Sequence, residues 1–150
     1  MGLDMYLHKK TYVKYWEHNG DDNYDVKVTK AGKPVNINPM KVKYVTEEVG
    51  YWRKANHIHQ WFVDNVQNGN DDCGNYWVSR EKLEELLGVC RIVKIDKSKA
   101  EQLLPTASGF FFGGTEYDEY YYEDIDNTIE ILEEALSDES ADDFAYRASW

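Results

Sequence analysis

Apolar and polar residues alternate through much of the first fifty positions. Leu3, Met5 and Leu7 alternate with Asp4, Tyr6 and His8, and Tyr12, Val13 and Tyr15 continue in residues that favour a pleated backbone. Residues 3–15 therefore predict a strand. Trp16 to Asn23 is polar and contains Asn19-Gly20-Asp21-Asp22, a turn or loop. Tyr24, Val26 and Val28 then alternate with Asp25, Lys27 and Thr29, Ala31-Gly32-Lys33-Pro34 makes a turn, and Val35 to Asn38 resumes the alternation. This predicts a hairpin across 24–38, short or at an edge on its second side because of Pro34 and Pro39. Val42 and Tyr44 against Lys41 and Lys43 predict a further extended stretch over 41–49.

The period changes near residue 50. At about 100° per residue, Trp52, Ala55, Ile58, His59, Phe62, Val63 and Val66 fall on one stripe, which predicts a helix over 50–67 buried along one side. Arg53, His57 and Trp61 fall on a second line of that helix, with Lys54 and Asn56 beside it. Gln67 to Asn75 is rich in turn formers, and Tyr76 to Val78 reads as a short strand. Ser79 is a fair cap for a second helix with Glu81 in its first turn and a core stripe of Leu83, Leu86, Leu87, Cys90 and Val93. Ser98 to Leu104 predicts a further helical turn ended by Pro105. Phe110 to Phe112 reads as a short buried strand. Thr115 and Asp118 suggest the start of a third helix over 116–136, with Tyr121, Tyr122, Ile125, Ile129, Leu132 and Leu136 inward and Glu123, Asp126, Glu130, Glu133 and Glu134 outward. Residues 137–143 form an acidic loop, and Phe144 to Ala148 predicts an edge strand. Strands first and helices later indicate a single α+β domain over 1–150, a mostly antiparallel sheet packed with about three helices.

Composition adds three constraints. An apolar fraction of 42% with 15% aromatic residues is that of a chain that folds around a core. No run approaches the ~20 apolar residues of a membrane span, and the start Met1-Gly2-Leu3-Asp4 is not that of a signal peptide. Cys73 and Cys90 do not make a disulfide framework, so reduced thiols in a cytoplasmic setting are expected. Charge is uneven: residues 101–150 carry fourteen carboxylates and one cation, Arg147, within an overall net charge of −11. That third would repel phosphates, so no direct nucleic-acid partner is expected for the chain, while a basic protein partner is admissible. The exposed aromatics permit a homodimer.

The candidate chemistry centres on residues 50–67. Arg53 and Lys54 offer donors for a phosphate or carboxylate, and Trp52, Trp61 and His57 offer flat faces. Asn56, and Tyr117 and Tyr120 from the later helix, complete the expected ligand-binding set. Other constellations are weaker. His57 and His59 are two apart on a helix, about 200° around it, and cannot share one metal ion with Asp71, Asp72 or Cys73. Cys73 has no cation to make it a nucleophile, with Asp71 and Asp72 beside it acting in the opposite sense. His59, on the apolar side, reads as a core histidine, and Cys90 as a core thiol. Gly113-Gly114-Thr115 followed by Glu116, Asp118 and Glu119 is a poor phosphate loop, but it can hold a cation or a ligand's amine. No cofactor motif is present, and binding is favoured over catalysis.

Three stretches carry a resemblance: Met1-Gly2-Leu3-Asp4-Met5-Tyr6-Leu7, the segment Gly50-Tyr51-Trp52-Arg53-Lys54-Ala55-Asn56, and Phe110-Phe111-Phe112-Gly113 with Tyr117-Asp118-Glu119-Tyr120-Tyr121-Tyr122. Together they are similar to a group of small hypothetical proteins encoded by bacteriophages and prophages. The resemblance implies an accessory protein of the host cytoplasm that inhibits or diverts a host system. On this reading the chain sequesters an anionic or nucleotide-like ligand, to counter host defence. The alternative is an acidic inhibitor or nucleic-acid mimic acting on a basic host protein.

Overall fold

A computed structural model describes residues 2–110, 112–141 and 143–150; Met1, Phe111 and Asp142 of the stretches discussed above lie outside them. The fold is α+β, with a four-stranded antiparallel sheet and helices, as the order of patterns predicts. The chain groups into two compact units, one running up to Lys9 and from Glu48 to Trp150, the other Lys10–Glu47.

The sheet is built from β1 (Asp4–Tyr12), β4 (Tyr44–Arg53), β5 (Asn75–Val78) and β6 (Phe144–Ser149), in the order β4-β1-β6-β5, with β1 after Lys9 and β4 before Glu48 counted in the smaller unit. The register pairs Met5 with Ala148 and Leu7 with Tyr146, while Tyr6 pairs with Arg147 on the opposite face. Period-two alternation therefore sends Leu3, Met5, Leu7, Tyr146 and Phe144 into the core. β6 lies between β1 and β5 and is not an edge strand. Its Phe144, Ala145, Tyr146 and Ala148 are all buried, which an edge position would not require.

Three helices of ten residues or more cover the core face: α1 (Asn56–Asn65), α2 (Arg80–Ile95) and α4 (Glu119–Ser137), with a one-turn α3 at Ala100–Leu103. Ser79 caps α2 as predicted, accepting a hydrogen bond from the Lys82 amide, and Leu83, Leu86, Leu87, Cys90 and Val93 are buried. α4 starts three residues later than the pattern suggested, because Asp118 rather than Thr115 caps it by accepting from the Tyr121 amide. It buries Tyr121, Ile125, Thr128, Ile131, Leu132 and Ala135. Full burial of a side chain such as Ile125 or Leu132 contributes about 1.5–3 kcal/mol. α4 approaches β4 so closely that a Cβ on Gly50 would stand 2.5 Å from Ile131 Cγ2. The C-terminal end of α4 is held by Arg80, whose guanidinium donates to the carbonyls of Leu136 (2.5 Å), Asp138 (2.9 Å) and Ala141 (2.9 Å). Two surface ion pairs, Arg91–Glu133 and Lys94–Asp126, link α2 to α4.

The helix predicted over 50–67 is two elements. β4 continues through Trp52 and Arg53, and α1 begins at Asn56. The break is Lys54, a non-glycine residue with φ of +58°. Its amide donates to the Leu3 carbonyl at 2.7 Å and its own carbonyl accepts from the Asn56 amide at 3.0 Å, so the turn is fixed from both sides. Of the strand expected over 110–112, Phe111 lies outside the described residues; Phe110 is 87% exposed and Phe112 is buried, and neither of the two is in a strand.

The smaller unit contains the predicted hairpin in short form, β2 (Thr29–Lys30) and β3 (Lys33–Pro34), joined by Ala31 at φ +51° and Gly32 at φ +79°. The ladder extends by one bond from the Val35 amide to the Val28 carbonyl.

Candidate functional site

A cavity of ≈ 330 Å³ opens where the β4–α1 junction faces the first turns of α4. It is lined by Arg53 and Lys54 of the junction, by Asn56 and His57 at the start of α1, by Thr106, Gly113, Gly114 and Glu116 from the loop between, and by Asp118, Tyr120, Tyr121, Glu123 and Asp124 at the start of α4. The junction turn is shaped by contact as well as by hydrogen bonds. Gly113 has φ of +88°, and a Cβ there would meet Lys54 Cβ at 3.0 Å and Lys54 O at 3.1 Å. Glycine is required because the loop backbone runs against the Lys54 backbone.

Of the eight residues expected from sequence, five line the cavity: Arg53, Lys54, Asn56, His57 and Tyr120. Three do not. Trp52 is in the core, its indole N–H donating to Thr128 Oγ1 at 2.8 Å. Trp61 is buried and borders a separate hollow of ≈ 220 Å³ on the other side of α1. Tyr117 supports the loop: its hydroxyl accepts from the Thr106 amide at 3.2 Å, and its ring packs on Tyr121. The proposed exposed line Arg53/His57/Trp61 therefore does not exist, because Arg53 lies on a strand and His57 and Trp61 are buried. Asn56 reaches the cavity but is already occupied. Its amide donates to the carbonyls of Phe112 (3.1 Å) and Gly114 (2.9 Å), and its oxygen accepts from the Ala107 amide (2.9 Å). It builds the wall by pinning residues 107–114 to α1.

His57 is the unusual member. It is 3% exposed, its ring stacks on Tyr121 with centroids 4.1 Å apart, and its Nε2 has no hydrogen-bond partner. It borders both the main cavity and the smaller hollow. Burial pushes its pKa down to about 4, against a smaller opposite effect of the Tyr121 backbone, so the ring is neutral at neutral pH. Asp124 moves the other way. Burial, then the neighbouring charges of Glu123 and Asp118, raise its pKa to about 7. Displacements of opposite sense in one cavity are common at sites where ligands are bound or protons are moved.

The other singled-out groups are structural. His59 bonds to the Tyr146 hydroxyl at 2.6 Å through Nδ1 and to Asp71 Oδ1 at 2.9 Å through Nε2, a satisfied core histidine as expected. The Trp150 indole donates to the same Asp71 oxygen at 3.0 Å. The Cys90 thiol is in the core, and burial pushes its pKa up to about 12. Among the described residues no group of three His, Cys, Asp or Glu side chains is spaced to hold a metal ion. No helix among them is long and apolar enough to cross a membrane.

Tyr121 belongs to the stretch Tyr117–Tyr122 that the resemblance singles out as a site wall, whereas Thr106, Glu123 and Asp124 were not anticipated as cavity residues. For Asp124 a signal was available. It lies three residues after Tyr121 and four before Thr128, both buried, so an acid at that position sits against the packed side of α4. No family model, curated protein or solved structure matches this chain.

Proposed function

We propose that the cavity binds a small molecule carrying both an anionic group and a hydrogen-bond-donating or cationic group. Arg53 and Lys54 receive the phosphate or carboxylate. Asp124, Glu123 and Glu116 receive the donor end, and the exposed ring of Tyr120, 68% accessible at the rim, covers a flat ligand. A purely anionic ligand meets four carboxylates, so the ligand expected from sequence narrows to a zwitterion or an amino-bearing, nucleotide-like molecule. The observation that carries this reading is that one cavity gathers two cations, Arg53 and Lys54, with the carboxylates of Glu116, Glu123 and Asp124. On the resemblance read from the sequence stretches at 1–7, 50–56 and 110–122, we further propose an accessory role in which such a molecule is sequestered from a host defence pathway.

The test is a thermal-shift screen against nucleotides, cyclic dinucleotides, ADP-ribose-type molecules and amino acids. A ligand at about a hundred times its Kd adds about 2.7 kcal/mol of stability, which in a chain of this size raises Tm by roughly 5–10 °C. Arg53→Ala should remove most of that shift. No shift with any of these classes would refute the reading.

A second reading is favoured by α4, whose outward face shows Glu123, Glu130 and Glu134 unpaired with any described cation, while Asp126 and Glu133 are neutralised from α2. Such a face suits a basic protein partner. Charge reversal at Glu123, Glu130 and Glu134 should then abolish a salt-sensitive association. Association that survives the reversal would remove this reading.

A further inference from the structure

The smaller unit has a different surface chemistry from the rest of the chain. Residues 10–47 hold seven lysines and five carboxylates, a positive excess in a protein of net charge −11. Among the described residues, only Lys27 of these lysines has an ion-pair partner, Asp25. The cations stand among exposed rings. Lys10 Nζ and Lys43 Nζ lie 5.6 and 5.7 Å from the centroid of the Tyr44 ring. Tyr12 packs edge-on to Tyr44 at 5.3 Å, and its hydroxyl accepts from the Trp16 indole at 3.0 Å. Tyr12, Trp16 and Tyr44 are all exposed despite these contacts. The backbone beneath is tied by the bond from the Val13 amide to the Lys43 carbonyl, and Lys14 Nζ reaches the Met40 carbonyl at 3.3 Å. The rings and cations are therefore held together by local contacts.

We propose that this unit binds single-stranded nucleic acid, with Lys10 and Lys43 taking backbone phosphates and the rings of Tyr12, Trp16 and Tyr44 taking unstacked bases. Ammonium groups placed around flat rings match a strand whose phosphates alternate with exposed π-faces. A duplex keeps its bases stacked inside and leaves the rings without a partner. The expectation that nucleic acid is excluded rests on the acidic C-terminal third, none of which belongs to this unit.

The experiment is fluorescence anisotropy of a labelled oligothymidylate of about 20 nucleotides with the full-length protein. Neutralising about two phosphates predicts affinity lower by roughly 5–10-fold between about 50 and 200 mM salt. Lys10→Gln/Lys43→Gln and, separately, Tyr44→Ala should each weaken binding by about tenfold. Circular dichroism and an unchanged Tm would confirm that each variant is folded. A duplex of the same length should compete poorly, and so should polyglutamate. Absence of binding at low salt, equal binding by either folded variant, or equal competition by polyglutamate or duplex would each overturn the proposal.

Discussion

Replacing Lys54 by glycine should make the protein more stable while impairing the cavity, an unusual pairing that follows from one backbone angle. Lys54 has φ of +58°, and its amide and carbonyl are both engaged, to Leu3 and Asn56, so the conformation is imposed by its surroundings. A side chain in the left-handed region costs about 1–2 kcal/mol. Glycine removes that cost but loses about 0.5–1 kcal/mol through the freedom it gains in the unfolded chain. The net gain is about 0.5–1 kcal/mol, equivalent to roughly 1–4 °C in Tm for a chain of this size. Lys54→Ala is the matched control, because it removes the same ammonium and keeps the Cβ that suffers. Both variants should lose about 1 kcal/mol of ligand binding, the contribution expected of one partly solvated charged contact. Urea unfolding of the wild type and both variants, with the thermal shift produced by the cavity ligand, measures both quantities. If Lys54→Gly is no more stable than Lys54→Ala, the junction is not strained as argued. If either variant binds ligand as the wild type does, Lys54 does not contribute to the site.

Three further outcomes are expected. His57 and Asp124 act oppositely on stability between about pH 4 and 6.5. His57, with its pKa lowered on folding, adds stability above about pH 6.5 that is lost as pH falls toward 4. Asp124, with its pKa raised on folding, adds stability at low pH that is lost as pH rises from about 4 to 7. Asp124→Asn should therefore leave a curve that rises with pH through this window, and His57→Gln one that falls, each by on the order of 1–2 kcal/mol after solvent screening; chemical unfolding at pH 4.5 and 7.5 separates them, and parallel curves would contradict both assignments. Arg80→Ala should cost about 2–3 kcal/mol by releasing three carbonyls at the end of α4, and Arg80→Lys should recover little because an ammonium cannot span them; a loss under 0.5 kcal/mol in urea unfolding would show that solvent replaces these bonds. Ala31→Asn should raise stability slightly, by up to about 1 kcal/mol, because Ala31 sits at φ +51° in a hairpin turn that favours Asn-Gly; a lower Tm would contradict that geometry.

The elements that sequence patterns located well are those with a single period. Leu3, Met5 and Leu7 mark β1, the leucines of α2 mark its buried stripe, and Ser79 marks its start. The segment 50–67 misled because its apolar residues satisfy two periods in succession. Trp52 obeys the strand alternation and Ile58, Phe62 and Val63 the helical one, and the lysine that divides them carries no local signal for a left-handed turn. Phe110 to Phe112 failed for a related reason, since an aromatic run between glycines looks buried whether or not the backbone turns back on itself. Half of the site was legible as chemistry, since Arg53, Lys54, His57 and Tyr120 were picked out by residue type. Its geometry was not, because it depends on Asn56 and Gly113 bringing a loop fifty residues away against the start of α1.

The cavity as a ligand site is tested most directly by NMR of ¹⁵N-labelled His57, following its ring nitrogens as the strongest hit of the thermal-shift screen is added. The account predicts that the Nε2 resonance moves to a saturating value while the rings of His8, His18 and His59 do not, and that Arg53→Ala weakens the titration. A ligand that binds tightly and leaves the His57 ring unmoved would contradict it.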